Sequence, residues 1–402
     1  MYNLHLSPEQ LEIRDTVRDF VTQEIKPVAL RAERLEAGDR RVPENLLVAA
    51  SQMGLRTLAL SEDLGGGGGD SLTSCIVTEE LAACDPDIAA VLSDTSTLAH
   101  VLFDRLMTAE QRERFLAQFL ADDRCQLALA DQEPETDPAL GINYHRPVAN
   151  DTPIRTTAVR DGNALVINGA KRCVANAPVA RLFAVQVQTS DGPGLVLVPG
   201  DARGLSVRDH DPATRWYHGT CGDVVFGDCR VPAENLLEGQ SPWAGDSPWR
   251  AALNLGIGRA AYEAALDYAK LRVQGGRRII EHQAIATILA ETAIKLDVAR
   301  TMIWRAAWAA DHPDAQADRS LPDLPLATIA AVYTSEAVYA AAKDAAECFG
   351  AMGVMRDMPL QKYVRDARIC LYSGAGSSDA KLRIAEVLAD YRRAAASMLA
   401  AE

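Results

Sequence analysis

The chain has 402 residues, with 41 Lys and Arg against 55 Asp and Glu, a formal net charge of −14. Hydrophobic residues make up 48% and charged residues 24%, which excludes a disordered chain and suits globular folding. The acidic balance argues against general nucleic-acid binding, and no run of 18 apolar residues suggests a membrane span.

The opening residues 1–15 have neither a basic start nor an apolar core, so no secretory leader is expected and the cytoplasm is the expected compartment. Ser7, Pro8 and Gln10 have the spacing of a capping box at a helix start. Leu11, Ile13, Val17, Phe20, Val21 and Ile25 continue at roughly helical intervals. Further helices are expected over about 43–54, 71–84 and 109–121. Five consecutive glycines, 65–69, have no Lys-Ser/Thr after them and no strand before them, so they predict a flexible inter-helix loop rather than a phosphate loop.

From 126 to 238 short β-branched runs alternate with turn residues. The runs fall at 157–159, 164–167, 182–188, 194–198, 205–207 and 223–226, separated by Asp161-Gly162, Asn168-Gly169 and Asp191-Gly192-Pro193. They predict a small antiparallel β-domain. Beyond it the chain turns helical and Ala-rich, with helices expected over 248–274, 278–310, 326–349 and 376–400. Gly256, Ala260 and Ala264 place small residues on one face of the first, which permits close packing. The predicted fold is therefore mostly α with a central antiparallel β-domain, in three domains: 1–125, 126–238 and 239–402. The eight cysteines contain no C-x-x-C pair, so buried free thiols are expected and neither structural zinc nor a disulfide framework is.

Several stretches, in order, resemble the acyl-CoA dehydrogenases. Glu62-Asp63-Leu64-Gly65-Gly66 is similar to the family's acidic-x-x-Gly-Gly loop, and Asn168-Gly169-Ala170-Lys171 to its Asn-Gly-x-Lys hairpin. Residues 226–237 resemble its Phe-x-x-x-x-Val-Pro-x-x-Asn-x-Leu strand and exit turn. Gly256-Ile257-Gly258-Arg259 with Tyr268 and Arg272 resembles its first bundle helix, Gln283 stands where the next helix carries a Gln, and 349–353 and 365–368 resemble its Gly-Gly-x-Gly turn and Arg-Asp-Ala run. The resemblance implies a helical domain, a β-barrel-like domain and a four-helix bundle, FAD shared between subunits, and a homotetramer or dimer, homomeric or mixed.

By that resemblance Arg272 supplies a cation to the FAD pyrophosphate. From the residues alone it reads first as a helix-end cation suited to the dipole. Gln283, Glu347 and the turn of Gly350 and Gly353 would reach the adenine end, while Ala128, Ala130, Val174 and Ala175 would flank the isoalloxazine. The chain departs from the pattern where Cys173 and Ala175 replace a Trp and a Ser/Thr, Gly275 replaces a Phe, Ala351 a Gly and Glu347 a Gln.

The larger departure is at the base. The family's Tyr-Glu-Gly-Thr is here Tyr372-Ser373-Gly374-Ala375, and a serine hydroxyl cannot remove a thioester α-proton unaided. Some members place the glutamate ten residues before the glycine matching Gly256, which points to Asp246; the alternative for Asp246 is a helix cap. Asp94 is a third candidate, expected near the acyl pocket, with an N-cap as its alternative. The resemblance implies dehydrogenation of an acyl-CoA or acyl-carrier-protein thioester, with electron-transferring flavoprotein or oxygen as acceptor. A flavin monooxygenase or oxidase on the same fold, and a non-catalytic partner subunit, are the competing readings.

Overall fold

A computed structural model of the chain describes residues 5–35, 41–134, 148–149, 154–210, 217–237, 247–372, 376–390 and 394–395. The helical N-terminal region comprises α1 (Pro8–Phe20), α2 (Lys26–Ala29), α3 (Ala32–Leu35), α4 (Glu44–Gln52), α5 (Ser71–Ala82), α6 (Pro86–Ala99) and α7 (Ala109–Ala121). The capping box forms as expected: Gln10 N–H donates to the Ser7 hydroxyl at 3.1 Å and Ser7 N–H to Gln10 Oε1 at 3.0 Å. Helix α6 has no counterpart among the predicted elements. Nearly all of its residues are buried, the polar Asp87, Ser93, Thr95 and Ser96 among them, so no solvated face marks it as a surface helix.

The glycine run is a loop, as expected, but a tied one. Four successive N–H groups, Gly66 to Gly69, donate to Ser61, Thr57, Leu60 and Leu58 carbonyls at 2.8–3.0 Å. A Cβ on Gly66 would lie 2.2 Å from Leu60 O, so only glycine allows this approach.

The central sheet contains β1 (Gln126–Ala130), β3 (Thr157–Asp161), β4 (Ala164–Ala175), β5 (Ala180–Thr189), β6 (Gly192–Pro199), β7 (Leu205–Asp209), β8 (Cys221–Pro232) and β9 (Leu236–Leu237). Its order is β7-β8-β4-β3-β5-β6-β9. The sheet is mixed rather than purely antiparallel. One edge of β5 is shared between β1, parallel along 180–185, and β3, parallel at Gln188. Strand β1 follows directly on α7, so it enters the sheet from the helical side. One sheet core gathers Ala128, Ala130, Phe183, Val187, Val198 and Phe226. Another, with Leu98, Phe103, Phe119, Leu127, Leu195 and Leu197, joins the sheet to the helices.

Helix α8 (Pro248–Leu271) stops three residues earlier than its pattern suggests, because Gly275 and Gly276, at φ +60° and +81°, close a hairpin between β10 (Val273–Gln274) and β11 (Arg277–Arg278). Helix α9 (Gln283–Asp311) follows, then α10 (Asp314–Ala317), α11 (Leu326–Phe349) over the predicted span, α12 (Leu360–Cys370) and α13 (Gly376–Leu388). The expected last helix is thus shorter, and β12 (Ala394–Ala395) pairs in parallel with β2 (Val148–Ala149). Helix α12 was not anticipated, since its start carries Pro359 instead of a polar cap. The small face of α8 packs as predicted: a Cβ on Gly256 would lie 2.6 Å from Glu79 O of α5. Helices of both regions share one core through Ile25, Leu47, Val91, Leu253, Leu296 and Val338.

Candidate active site

Three helices, α5, α6 and the start of α8, line a small cleft. Leu58, Val77, Leu81 and Leu92 make its apolar walls, and Ser93, Ser96 and Thr97 add hydroxyls. These are mostly engaged: Thr78 and Ser93 share a hydrogen bond at 2.8 Å, and Ser96 accepts from Ala59 N–H at 2.9 Å. Trp249, also in the lining, differs. It is 6% exposed, and its Nε1 has no hydrogen-bond partner among the described residues. A buried donor without a partner is costly, and a ligand oxygen in the cleft would satisfy it.

Asp94 lies on α6 beside this cleft. It is not an N-cap, because Asp85 caps α6 and Asp94 sits two turns further on. Its carboxylate is 3.6 Å from the Arg250 guanidinium of α8. Burial pushes the Asp94 carboxyl above its ordinary value, and Arg250 partly opposes this. A raised carboxyl beside a cleft is the environment a general base requires. Asp246 and Ser373 lie outside the described residues. The N-cap position of α8 belongs to Ser247, one residue after Asp246.

The end of β4 is pinned to α6. Asn176, buried and at φ +63°, directs its side-chain NH₂ to Val91 O, Thr95 Oγ1 and Leu127 O at 3.1–3.2 Å. This brings Val174, Ala128 and Ala130 together, but their side chains face the sheet core, so only their backbone is available to a ligand. Ala175 is part-exposed. Lys171, fully buried on the same strand, donates to Glu133 at 2.6 Å and to Asp131 O at 3.3 Å, which fixes the strand leading into the hairpin.

The remaining predicted residues collect at one end of the bundle. Tyr268 stacks on Phe349 at 4.1 Å, joining the ends of α8 and α11. Arg272 follows α8, exposed, with no carboxylate partner among the described residues. Gln283 opens α9, and Glu347 ends α11; both are exposed. Gly350, at φ +54°, begins the next turn, and Gly353 is buried where a Cβ would lie 2.9 Å from Ala346 O.

One constellation escaped sequence reasoning. Cys173, His210 and Cys221 bring their donor atoms within 4.8 Å of one another. All eight cysteines are free, and Cys173 alone is not fully buried. A hydrogen bond from Cys221 holds the Cys173 thiol down to about 6, against the opposing effect of burial, and pushes Cys221 up. Strand register, not sequence spacing, makes this cluster, so C-x-x-C counting could not find it.

Three stretches match acyl-CoA dehydrogenase family descriptions: the N-terminal domain over 7–123, the middle domain over 148–229 and the C-terminal domain over 248–388. An acyl-CoA dehydrogenase of Bacillus subtilis is 28% identical over 389 residues, covering 92% of this chain and 96% of that protein. A solved chain described under the electron transferring flavoprotein of Acidaminococcus fermentans has a TM-score of 0.81 at 25% identity, over 96% of this chain and 99% of that one. A second, the FAD complex of PigA, has a TM-score of 0.78 at 21% identity over 96% and 99%, a likeness of fold.

Proposed function

Because this chain belongs to the acyl-CoA dehydrogenase family, we propose that it is an FAD-dependent oxidoreductase that removes the α and β hydrogens of an acyl thioester, using a carboxylate other than the family's common glutamate. The observation that carries the reading is the cleft between α5, α6 and α8, with an unpartnered Trp249 donor in its wall and a half-buried carboxylate beside it. The three domains are taken as 1–125, 126–238 and 239–402.

The residues present fit FAD in their chemistry. Arg272, Arg277 and Arg278 are exposed around a glycine hairpin, the donor set a pyrophosphate requires. Arg272 would hold the pyrophosphate, with Gln283, Glu347, Gly350 and Gly353 toward the adenine and the backbone of Ala128, Ala130, Val174 and Ala175 toward the ring. When bound, the flavin accepts the β-hydrogen as hydride. The chain's own part is to hold the acyl group in the apolar cleft, exclude water, and take the α-proton onto a carboxylate. Asp94 and Asp246 are the candidates. For Asp94, a ligand entering the cleft would further exclude water and strengthen its basicity. Trp249, a lining residue whose Nε1–H has no partner among the described residues, would donate to a substrate oxygen.

The thioester is an acyl-CoA or an acyl-carrier-protein, and electron-transferring flavoprotein or oxygen takes the electrons. Exposed Ile294 and Val298, one turn apart on α9, support association into a dimer or tetramer. A cytoplasmic location accords with the absence, among the described residues, of any helix long and apolar enough to cross a membrane.

The test is anaerobic bleaching of the flavin by a panel of acyl thioesters, repeated with Asp94→Asn and Asp246→Asn. Loss of two or more decades in rate in one variant identifies the base. Bleaching by no thioester in the wild type refutes the dehydrogenase reading; substrate-dependent oxygen uptake would then favour an oxidase or monooxygenase, and its absence a non-catalytic subunit.

A further inference from the structure

We propose that Cys173, His210 and Cys221 form a binding site for a single zinc-type divalent cation on one face of the sheet. The three residues come from three adjacent strands or their ends. His210 extends β7 by one residue, and its N–H donates to Cys221 O at 3.1 Å, so the two stand opposite each other. Cys221 pairs with Ala175 on β4, and Cys173, two residues away, lies on the same face.

The local backbone is distorted where the site needs it. The β4–β8 register shifts between Lys171 and Val174, and Cys173 in that irregularity adopts φ +51°. A non-glycine residue in this region is strained, and bulges of this kind re-aim side chains. Here the bulge leaves the Cys173 N–H to donate to Asp223 Oδ1 at 3.2 Å.

The donor chemistry selects the ion. Two thiolates and one imidazole suit zinc-like soft cations and are poor ligands for magnesium or calcium. Asp223 Oδ1 lies 2.8 Å from His210 Nε2, which fixes that nitrogen as the N–H and leaves Nδ1 as the lone-pair donor. A carboxylate holding the far nitrogen of a ligating histidine is the usual outer support of a metal site. A tetrahedral ion with bonds of about 2.3 Å to sulfur and about 2.0 Å to nitrogen holds its donors roughly 3.5–3.8 Å apart. The two sulfurs and a ring nitrogen of His210, none more than 4.8 Å apart, would close to that on binding, with the imidazole turned to present Nδ1. Cys221 is buried while Cys173 and His210 are part-exposed, which leaves an entry side for the ion. A redox disulfide between the two cysteines would have no use for the carboxylate-oriented imidazole, so the metal reading accounts for more of the arrangement.

The test uses flavin-loaded protein purified and kept anaerobic, titrated with Co(II). One equivalent per chain is expected, with sulfur-to-cobalt charge transfer and d–d bands in the red beyond flavin absorption, all abolished by one equivalent of Zn(II). Cys173→Ser and Cys221→Ser should each weaken binding at least 100-fold and reduce the sulfur-to-cobalt intensity. Should either fold poorly, His210→Gln and Asp223→Asn, at part-exposed positions, serve instead: the first removes the nitrogen ligand, and the second lowers affinity about 10- to 100-fold. Absence of stoichiometric binding, affinity unchanged in Cys173→Ser or His210→Gln, or a Cys173–Cys221 disulfide in the anaerobic protein by mass spectrometry would each overturn the proposal. None of these readouts depends on catalytic turnover.

Discussion

Replacing Asn176 with alanine should destabilise the chain by about 3 kcal/mol, and the sum can be worked from its contacts. The amide has two hydrogens shared among Val91 O, Thr95 Oγ1 and Leu127 O. Two of these acceptors keep other partners after the change. Val91 O lies within the hydrogen-bonding ladder of α6, and Thr95 Oγ1 keeps its bonds to Gln126 at 2.8 Å and from Leu127 N–H at 3.3 Å. Each lost bond is then worth the ordinary net value of about 1 kcal/mol rather than the full cost of a stranded group, giving about 2 kcal/mol. Asn176 also holds φ +63°, which asparagine tolerates better than alanine, adding about 1 kcal/mol. Asn176→Asp separates the two parts. It keeps the side-chain shape but replaces the NH₂ donor with a carboxylate oxygen that faces three acceptors, so it should be worse than alanine although it is isosteric. Urea unfolding followed by tryptophan fluorescence at fixed protein concentration measures all of these, and flavin retention reports whether the β4 end has moved. Asn176→Ala within 0.5 kcal/mol of wild type, or Asn176→Asp equal to wild type, would refute the assignment of the pin.

Gly66→Ala should cost about 1–3 kcal/mol by the same assay, because its Cβ would meet Leu60 O at 2.2 Å and backbone cannot step aside cheaply. Arg272→Ala should lower flavin affinity by about one to two decades with helicity unchanged, the scale of a charge-assisted phosphate contact of roughly 1.5–3 kcal/mol; unchanged flavin occupancy returns Arg272 to a helix-end role. Trp249→Phe should raise KM for the thioester about tenfold while leaving unfolding stability equal or slightly higher, since it removes a buried donor that has no partner in the free chain. Arg259→Met should cost about 3–5 kcal/mol, because Arg259 pairs with Glu79 and Glu80 in the core at 3.1 and 2.7 Å and its loss leaves buried carboxylates short of charge. Burial alone would raise the Glu80 carboxyl, but Arg259 and Arg18 outweigh it and hold it below its ordinary value. Glu80 therefore contributes stability above the ordinary glutamate range that is lost as pH falls through its lower folded value, and Arg259→Met should flatten that part of a pH-stability profile.

How much of this was legible beforehand depended on whether the governing contact was local. The Ser7–Gln10 capping box, the small face at Gly256 and the span of α11 follow from residues a few positions apart, and each stands as expected. Helix α6 was missed for the opposite reason: with Ile88, Val91, Leu92 and Thr95 all buried, its environment comes from α5, α8 and β1, which no local pattern can represent. The mixed sheet was hidden likewise, since β1 joins β5 in parallel across some fifty residues. The candidate site repeats the contrast. Arg272 and Gln283 could be picked out by resemblance, as could Asp94, but a cap and a base look alike in sequence until Asp85 is seen to occupy the cap position of α6. Trp249 carried no signal at all, because an indole N–H becomes notable only when its surroundings leave it unpaired. The cysteine–histidine cluster is the extreme case. Residues 173, 210 and 221 match no metal spacing, yet antiparallel pairing of β4, β8 and β7 with one bulge places them side by side, so in this sheet ligand spacing is a property of register.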